Sequence, residues 1–462
     1  MGFGLVFLAL VLGTLAVSAP ARADTIGPGD PISHVVIIYQ ENHSFDNVLG
    51  AWCVQTGRCN GATTAQVFNG TTTKTVPLVP AADVVPPIDH TDTGQIRAMD
   101  GGKMDKWQTL SGCAAPTYGC LQQFQPSQIP NLISLVQQFT VSDATFEANP
   151  MPSWGSHLDL VTASMDGFTG DNPSPSTTGA PVGYGWGCDS NLDAKWLSPS
   201  GQLEWVPSCV PDPKLDPTTY PYGGAYRATP VQWEPTLMDD LRTKHLTWRL
   251  FETTRQTKGL PYGWDICPTF ADCEYTTQKN NVINPSAQVI NAATNGKLPN
   301  VTIVMPDLLH SQHNTYSMAM GDNWIGQVVS AIMHGPQWQS TAIFITYDDC
   351  GCFYDHAAPP PGDGPRVPMV IVSPYAKAGY TDSTPATLES MLAFTEHLFA
   401  LPPLGRTDAQ SYDFANAFSF TAAPGAGRAG SLAGRLPRMV TTHIPAAERR
   451  YVLNHPPPRT DT

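Results

Sequence analysis

Four stretches of the chain run apolar without interruption: 34–39 (HVVIIY), 301–305 (VTIVM), 341–347 (TAIFITY) and 367–372 (VPMVIV). Continuous β-branched runs of this length are the pattern of strands buried on both faces, as in a parallel sheet. Between them, 129–139, 153–165, 322–333 and 387–400 place apolar residues near helical spacing. Strands alternating with helices predict an α/β fold with a largely parallel central sheet flanked by helices.

Other segments break the rhythm. Residues 166–235 are rich in Pro, Gly, Ser, Thr, Trp and Tyr, and predict a long loop-rich insertion over one end of the sheet. From 421 to 462 the apolar content falls below what packing needs, so a flexible tail is expected there. At the other end, an apolar run closes on Ala21-Arg22-Ala23, the small-x-small pattern of a signal-peptide cleavage site, although no basic residue precedes it. Residues 1–23 are therefore expected to direct bacterial export, with the protein secreted or periplasmic. No later run approaches bilayer-spanning length, so no transmembrane anchor is expected in the mature chain. Residues 24–420 of the 462 are read as one heavily decorated domain.

Export changes the meaning of the cysteines. There are ten, at 53, 59, 113, 120, 188, 209, 267, 273, 350 and 352. An even number in an oxidising compartment, with no Cys-x-x-Cys, predicts disulfides that tie the insertion and other loops, and not zinc. Pairing between neighbours, such as Cys53 with Cys59 or Cys267 with Cys273, fits the spacing without following from it. The formal net charge of −14 argues against a nucleic-acid partner. It does not exclude an anionic small substrate, because a bound ion inverts the field locally.

The candidate chemistry lies after the strands. Glu41 and Asn42 follow the first, Asp307, His310 and His313 the second, and Asp348, Asp349, Asp355 and His356 the third. In open α/β sheets ligands bind outside the carboxyl ends of the strands, so these groups are expected to converge on one rim. Glu41, Asn42, Asp348 and Asp349 are oxygen donors that would repel one another without a cation, and fit a hard divalent ion such as Mg²⁺, Mn²⁺ or Ca²⁺. Any single carboxylate is better explained as a loop cap; the joint placement reverses that. His90, His310, His313 and His356 are candidate phosphate donors or general acids, His310 the weakest of them. Ser153 opens a helix-like segment, where free backbone N–H groups favour an anion. A serine there is ordinarily an N-cap, but beside a metal it is a candidate nucleophile.

These motifs, ENHSFDNVLG, DHTDTGQIRAMDGGKMDKW, PMPSWGSHLDLVTAS, HSQHNTYSMAMGDNWI and TYDDCGCFYDHAAPP, resemble in the same order those of the bacterial phosphoesterase family. That family contains phospholipases C and acid phosphatases of the alkaline-phosphatase-like superfamily, and the likeness runs from about 34 to 400. It implies metal-assisted hydrolysis of phosphoric esters through a phosphoserine, with a divalent metal ion, Mg, Mn, Ca or Zn, as cofactor. Glu41, Asn42, Asp348 and Asp349 would hold the metal, Ser153 would be the nucleophile, and His90 and His313 would hold phosphoryl oxygens, with His356 nearby. The expected partner is a phosphate ester, including phospholipid at a membrane surface.

The chain departs from the family pattern at His43 and Asn47, where members often have Arg and His. Cys352 replaces a Gly, so that loop is expected to be stiffer or disulfide-bound. His157 replaces an Arg near the nucleophile, which puts phosphate binding there in doubt. Serine as nucleophile is closer to the acid-phosphatase branch. The competing possibility is a secreted binding protein on the same fold with its chemistry lost, which predicts a missing ligand or nucleophile.

Overall fold

A computed structural model describes Met1 and residues 25–175, 182–183, 185–211, 227–253, 266–405, 407–420 and 436–454. After Met1 the expected export signal lies outside them, as do parts of the insertion and residues 421–435 and 455–462 of the tail.

The central sheet is built from β1 (His34–Gln40), β2 (Thr140–Ser142), β3 (Trp248–Phe251), β4 (Val282–Ile283), β5 (Val301–Val304), β6 (Thr341–Tyr347), β7 (Met369–Val372) and β8 (Thr381–Asp382). Its order is β4-β3-β5-β1-β6-β7-β2-β8. Pairing is parallel from β4 through β6, and β7 runs antiparallel to both β6 and β2. The predicted mixed α/β fold with a mostly parallel sheet is therefore present, with β7 reversed within it. The residues of β1 after His34, and all of β5, β6 and β7, are buried, which is why their apolar runs are unbroken.

Helices α1 (Pro130–Gln138), α2 (Ser153–Thr162), α3 (Met318–His334) and α4 (Ser390–Phe399) flank the sheet. Phe394 of α4 packs edge-on against Phe344 of β6, with ring centroids 5.0 Å apart. α1 is pinned to α3 by Asp322, whose carboxylate accepts from the backbone N–H groups of Asn131 and Leu132 at 3.0 and 2.9 Å.

The insertion carries a hairpin of Leu192–Leu197 and Leu203–Pro207, and Cys188–Cys209 closes its base. Three further disulfides join Cys53–Cys59, Cys113–Cys120 and Cys267–Cys273. Cys350 and Cys352 are unbonded, against the expected alternative of a bonded loop.

Within the tail, residues 440–444 make contacts with the domain. Val440 and Thr442 each exchange two backbone hydrogen bonds with the side-chain amides of Asn131 and Asn323, and Ile444 is buried. Amide side chains satisfy the tail's backbone, which a count of its apolar residues does not reveal.

Candidate active site

Register brings the first donors together. Gln40 pairs with Tyr347 at the ends of β1 and β6, so Glu41 and Asp348 leave the sheet side by side. Asp348 Oδ1 accepts the backbone N–H of Asn42 at 2.9 Å and of Asp349 at 2.8 Å. Asn42 takes a left-handed φ of 59°, a conformation asparagine tolerates better than most residues and one that recurs at functional sites. Close behind is Gly351, with φ +50°, where a Cβ would stand 2.1 Å from the Asn42 carbonyl oxygen. Glycine is thus required there. Cys352, next to it, sits at φ 47° without glycine's freedom.

Ser153 comes to the same point from the start of α2. Its Oγ has Asn42 Oδ1 and Asp349 Oδ2 each at 3.2 Å, and its single proton serves one of them. All of these side chains are buried. Two of the N–H groups expected to be free at this helix start are taken. Trp154 N–H donates to Asn172 Oδ1 at 2.8 Å and Gly155 N–H to Gly170 O at 3.1 Å, so loop residues after α2 occupy these two.

Two histidines decide the orientation of the Asn42 amide. His90 Nδ1 faces the Ile88 carbonyl at 2.7 Å and His313 Nδ1 the Asn314 carbonyl at 2.9 Å. A carbonyl only accepts, so both Nδ1 atoms carry hydrogen and each neutral ring has its lone pair on Nε2. Burial drives His313 toward that neutral form, with its pKa lowered to about 3. Asn42 Nδ2 lies 3.1 Å from both Nε2 atoms, so its two hydrogens match two acceptors. Asn42 Oδ1 is thereby turned toward Asp348 Oδ1 at 3.0 Å, Glu41 Oε2 at 2.9 Å and Ser153 Oγ.

Oxygen atoms so placed, without enough hydrogens between them, fit a hard cation at their centre. Burial raises Glu41 well above the usual carboxylate range, and Asp348 adds to this. Asp348 is pushed up to about 8 by burial and then by Asp349. No cationic side chain among the described residues offsets either, and a divalent ion would. The donor set therefore fits the metal that the motifs imply.

Two neighbours went unassigned in the sequence. Glu147, fully buried, accepts the Cys350 N–H at 2.8 Å and the Met151 N–H at 3.5 Å, tying the loop after β6 to the approach to Ser153. No periodicity marks it. His157, noted as a departure from the family's Arg, lies one turn after Ser153 on α2, its Nε2 3.5 Å from Glu41 Oε1. Burial lowers its pKa to about 4.

His356 has other partners. Its Nδ1 faces Asp46 Oδ2 at 2.5 Å and its Nε2 faces Asn60 Oδ1 at 3.0 Å. Asp46, Asp355 and His356 lie close enough to share an ion, but Arg366 fills that place, reaching Asp355 at 3.1 and 3.2 Å and Asp46 at 3.4 Å. His356 thus belongs to a structural ion-pair cluster, and none of its described contacts is with Ser153 or the candidate ligands. His310 pairs with Asp307, whose carboxylate caps a short 3₁₀ turn. The two departures at 43 and 47 meet in space, His43 Nδ1 lying 2.7 Å from Asn47 Oδ1.

The model of a family described as the Phosphoesterase family matches residues 32–402. The chain belongs to that family. Among relatives of this phosphoesterase, a non-hemolytic phospholipase C of Burkholderia pseudomallei is 24% identical over 454 residues, covering 85% of this chain and 58% of that protein. Phospholipase C A of Mycobacterium tuberculosis is 24% identical over 473 residues, covering 88% of this chain and 82% of that one. The chain thus spans little more than half of the first relative's length and most of the second's. A solved structure described as a protein in the alkaline phosphatase superfamily from Vibrio parahaemolyticus is 12% identical, with a TM-score of 0.36 over 86% of this chain and 76% of that chain.

Proposed function

We propose that this phosphoesterase is an exported, metal-assisted hydrolase of phosphoric esters that works through a phosphoserine at Ser153. The observation that carries the proposal is Ser153 Oγ, buried at a helix start against Asn42 Oδ1 and Asp349 Oδ2. The proposed catalytic domain spans 24–420, preceded by an export signal over 1–23; four disulfides support an oxidising compartment. A binding protein with lost chemistry is disfavoured because every expected ligand and the nucleophile are present.

Ser153 Oγ attacks phosphorus; the new O–P bond forms as the ester oxygen leaves, and water then attacks the same phosphorus, its O–P bond forming as the Oγ–P bond breaks and Oγ regains a proton. Asp349 Oδ2, 3.2 Å away, is a carboxylate within reach of the proton that Oγ gives up. A divalent ion held by Glu41, Asn42, Asp348 and Asp349 would lower the hydroxyl's pKa and neutralise charge on the phosphoryl oxygens. His90 and His313 have committed their Nδ1 hydrogens to carbonyls. Nε2 of each ring, 3.1 Å from Asn42 Nδ2, is the ring atom that faces the rim holding Ser153.

A phospholipid diester is favoured by one surface feature. On the insertion's hairpin, Leu197, Leu203 and Trp205 are 53, 59 and 51% exposed. Leu197 pairs with Leu203, and Trp205 stands two residues along, on the same face. An apolar tip with an aromatic suits the interface of a lipid layer. A soluble monoester is favoured by the serine nucleophile, as in the acid-phosphatase branch that the motifs resemble.

Purified protein assayed on p-nitrophenyl phosphate and p-nitrophenylphosphorylcholine, with chelator and Ser153→Ala controls, separates the two. Turnover of the choline diester lost in the variant supports phospholipase C, and turnover of the monoester alone supports phosphatase. Silence on both with every divalent ion sinks the proposal.

A further inference from the structure

We infer that His157 is a direct nitrogen ligand of the divalent ion, completing with Glu41 and Asp348 a mixed oxygen–nitrogen site that selects Zn²⁺, Mn²⁺, Fe²⁺ or Co²⁺ over Mg²⁺ and Ca²⁺. This rests on the metal-assisted function proposed above and adds a residue and a selectivity that the oxygen donors do not supply.

The tautomer is the first argument. His157 Nδ1 lies 2.7 Å from the Ser153 carbonyl oxygen. That oxygen accepts, so Nδ1 carries the hydrogen and the neutral ring's lone pair is on Nε2. The second is isolation. His157 Nε2 has no hydrogen-bond partner, and the side chain is 3% exposed. Leaving such an acceptor buried and unpaired is costly, and each case in a folded protein needs a physical reason.

The third is what it faces. Nε2 is 3.5 Å from Glu41 Oε1, and His157, Glu41 and Asp348 each offer an atom within 4.8 Å of the others. Two atoms bearing lone pairs oppose one another across a gap longer than a good hydrogen bond. That spacing matches a shared ion, because two ligands each about 2.0–2.1 Å from a tetrahedral ion are roughly 3.4 Å apart.

The support around the ring is that of a ligand. A histidine that binds metal through one nitrogen characteristically donates from the other to a carbonyl or carboxylate, which fixes tautomer and orientation. Here the carbonyl belongs to the nucleophile itself. Tyr39 and Trp186 pack edge-on against the ring, at centroid distances of 5.0 and 6.1 Å. Because Ser153 and His157 are four residues apart on α2, one helix face carries both. Imidazole suits Zn²⁺ and its transition-metal neighbours, whereas Mg²⁺ and Ca²⁺ prefer oxygen alone.

The competing role is that His157, standing where the motif it resembles has arginine, holds a phosphoryl oxygen. Titration calorimetry on chelator-stripped full chain, wild type and His157→Gln, with Zn²⁺, Mn²⁺ and Mg²⁺ separately and no substrate, tells the two apart. The variant is expected to lose Zn²⁺ affinity by at least about 100-fold, the upper end of what losing a supporting outer-shell group costs, while its Mg²⁺ affinity stays close to that of wild type.

Pulsed electron paramagnetic resonance on the Mn²⁺-loaded wild type needs no variant to fold. Nitrogen hyperfine coupling is expected, and its loss in His157→Gln assigns it. Absence of that coupling in wild type, its persistence in the variant, or unchanged Zn²⁺ affinity overturns the inference while leaving the metal-assisted function standing. Failure of the wild type to bind any of the three ions overturns both.

Discussion

Ser153 Oγ lies 3.2 Å from Asp349 Oδ2, although the two residues are 196 positions apart in the chain. The hydroxyl and the carboxylate reach this distance because a helix start and a strand end meet at one buried rim. Ser153→Ala removes one buried hydroxyl and leaves the rest of that rim in place. It is expected to lower kcat by at least about 10⁴-fold, the scale on which loss of a nucleophile acts, with little change in thermal midpoint. Activity close to wild type would assign bond formation to a different group.

Removing the ion should also be felt in the fold. Glu41 and Asp348 are buried beside each other, and nothing cationic among the described residues compensates them. Chelation is expected to lower the thermal midpoint, and a divalent ion at 100 times its Kd should restore about 2.7 kcal/mol. A midpoint that ignores both chelator and ion would remove the ion from this site.

The cluster around Arg366 makes the opposite prediction, for stability without chemistry. Arg366 is fully buried against Asp355 and Asp46, so Arg366→Met leaves their charge uncompensated and should cost about 3–5 kcal/mol in urea unfolding. Burial acts to lower the pKa of His356, but the hydrogen bond and charge of Asp46 prevail and raise it above 6.5. A raised histidine stabilises fully below its unfolded pKa, and the contribution fades as pH climbs through the folded value. The stability gap between wild type and His356→Gln should therefore be widest below about pH 6 and should shrink toward pH 9, with kcat/KM unchanged. A large loss of kcat/KM in this variant would return His356 to catalysis.

Membrane encounter can be isolated at the hairpin. Trp205→Ser with Leu203→Ser is expected to lower hydrolysis of phospholipid vesicles by at least about 100-fold, since each exposed apolar side chain contributes on the order of 1.5–3 kcal/mol when buried in lipid and about 1.4 kcal/mol is a factor of ten. Hydrolysis of a soluble p-nitrophenyl ester should be unchanged. Equal loss on both substrates would make the hairpin part of the fold's support and not a lipid contact.

How much of this was legible before the fold was seen follows from what each residue's neighbours are. β1, β5 and β6 announce themselves because burial on both faces leaves mostly apolar and β-branched side chains, and the strand-end rule then marks Glu41, Asn42, Asp348 and Asp349. β2, β4 and β8 have three, two and two residues, too few for any period. The antiparallel sense of β7 leaves no trace, since a strand buried on both faces reads alike in either direction. His356 looked catalytic because it follows Asp355 in a strand-end motif. Its actual partner, Asp46, is 310 residues away, a relation no local pattern carries. The amide straps that hold Val440 and Thr442 escaped for the same reason.

The central claim is covalent chemistry at Ser153, and trapping the intermediate tests it most directly. Enzyme mixed with p-nitrophenyl phosphate or p-nitrophenylphosphorylcholine would be quenched in acid during turnover, digested, and its peptides weighed and sequenced by mass spectrometry. A phosphoryl or phosphorylcholine group on Ser153, absent without substrate and absent in Ser153→Ala, is the predicted result. Sustained turnover with Ser153 unmodified, or with the adduct on another residue, would contradict the account.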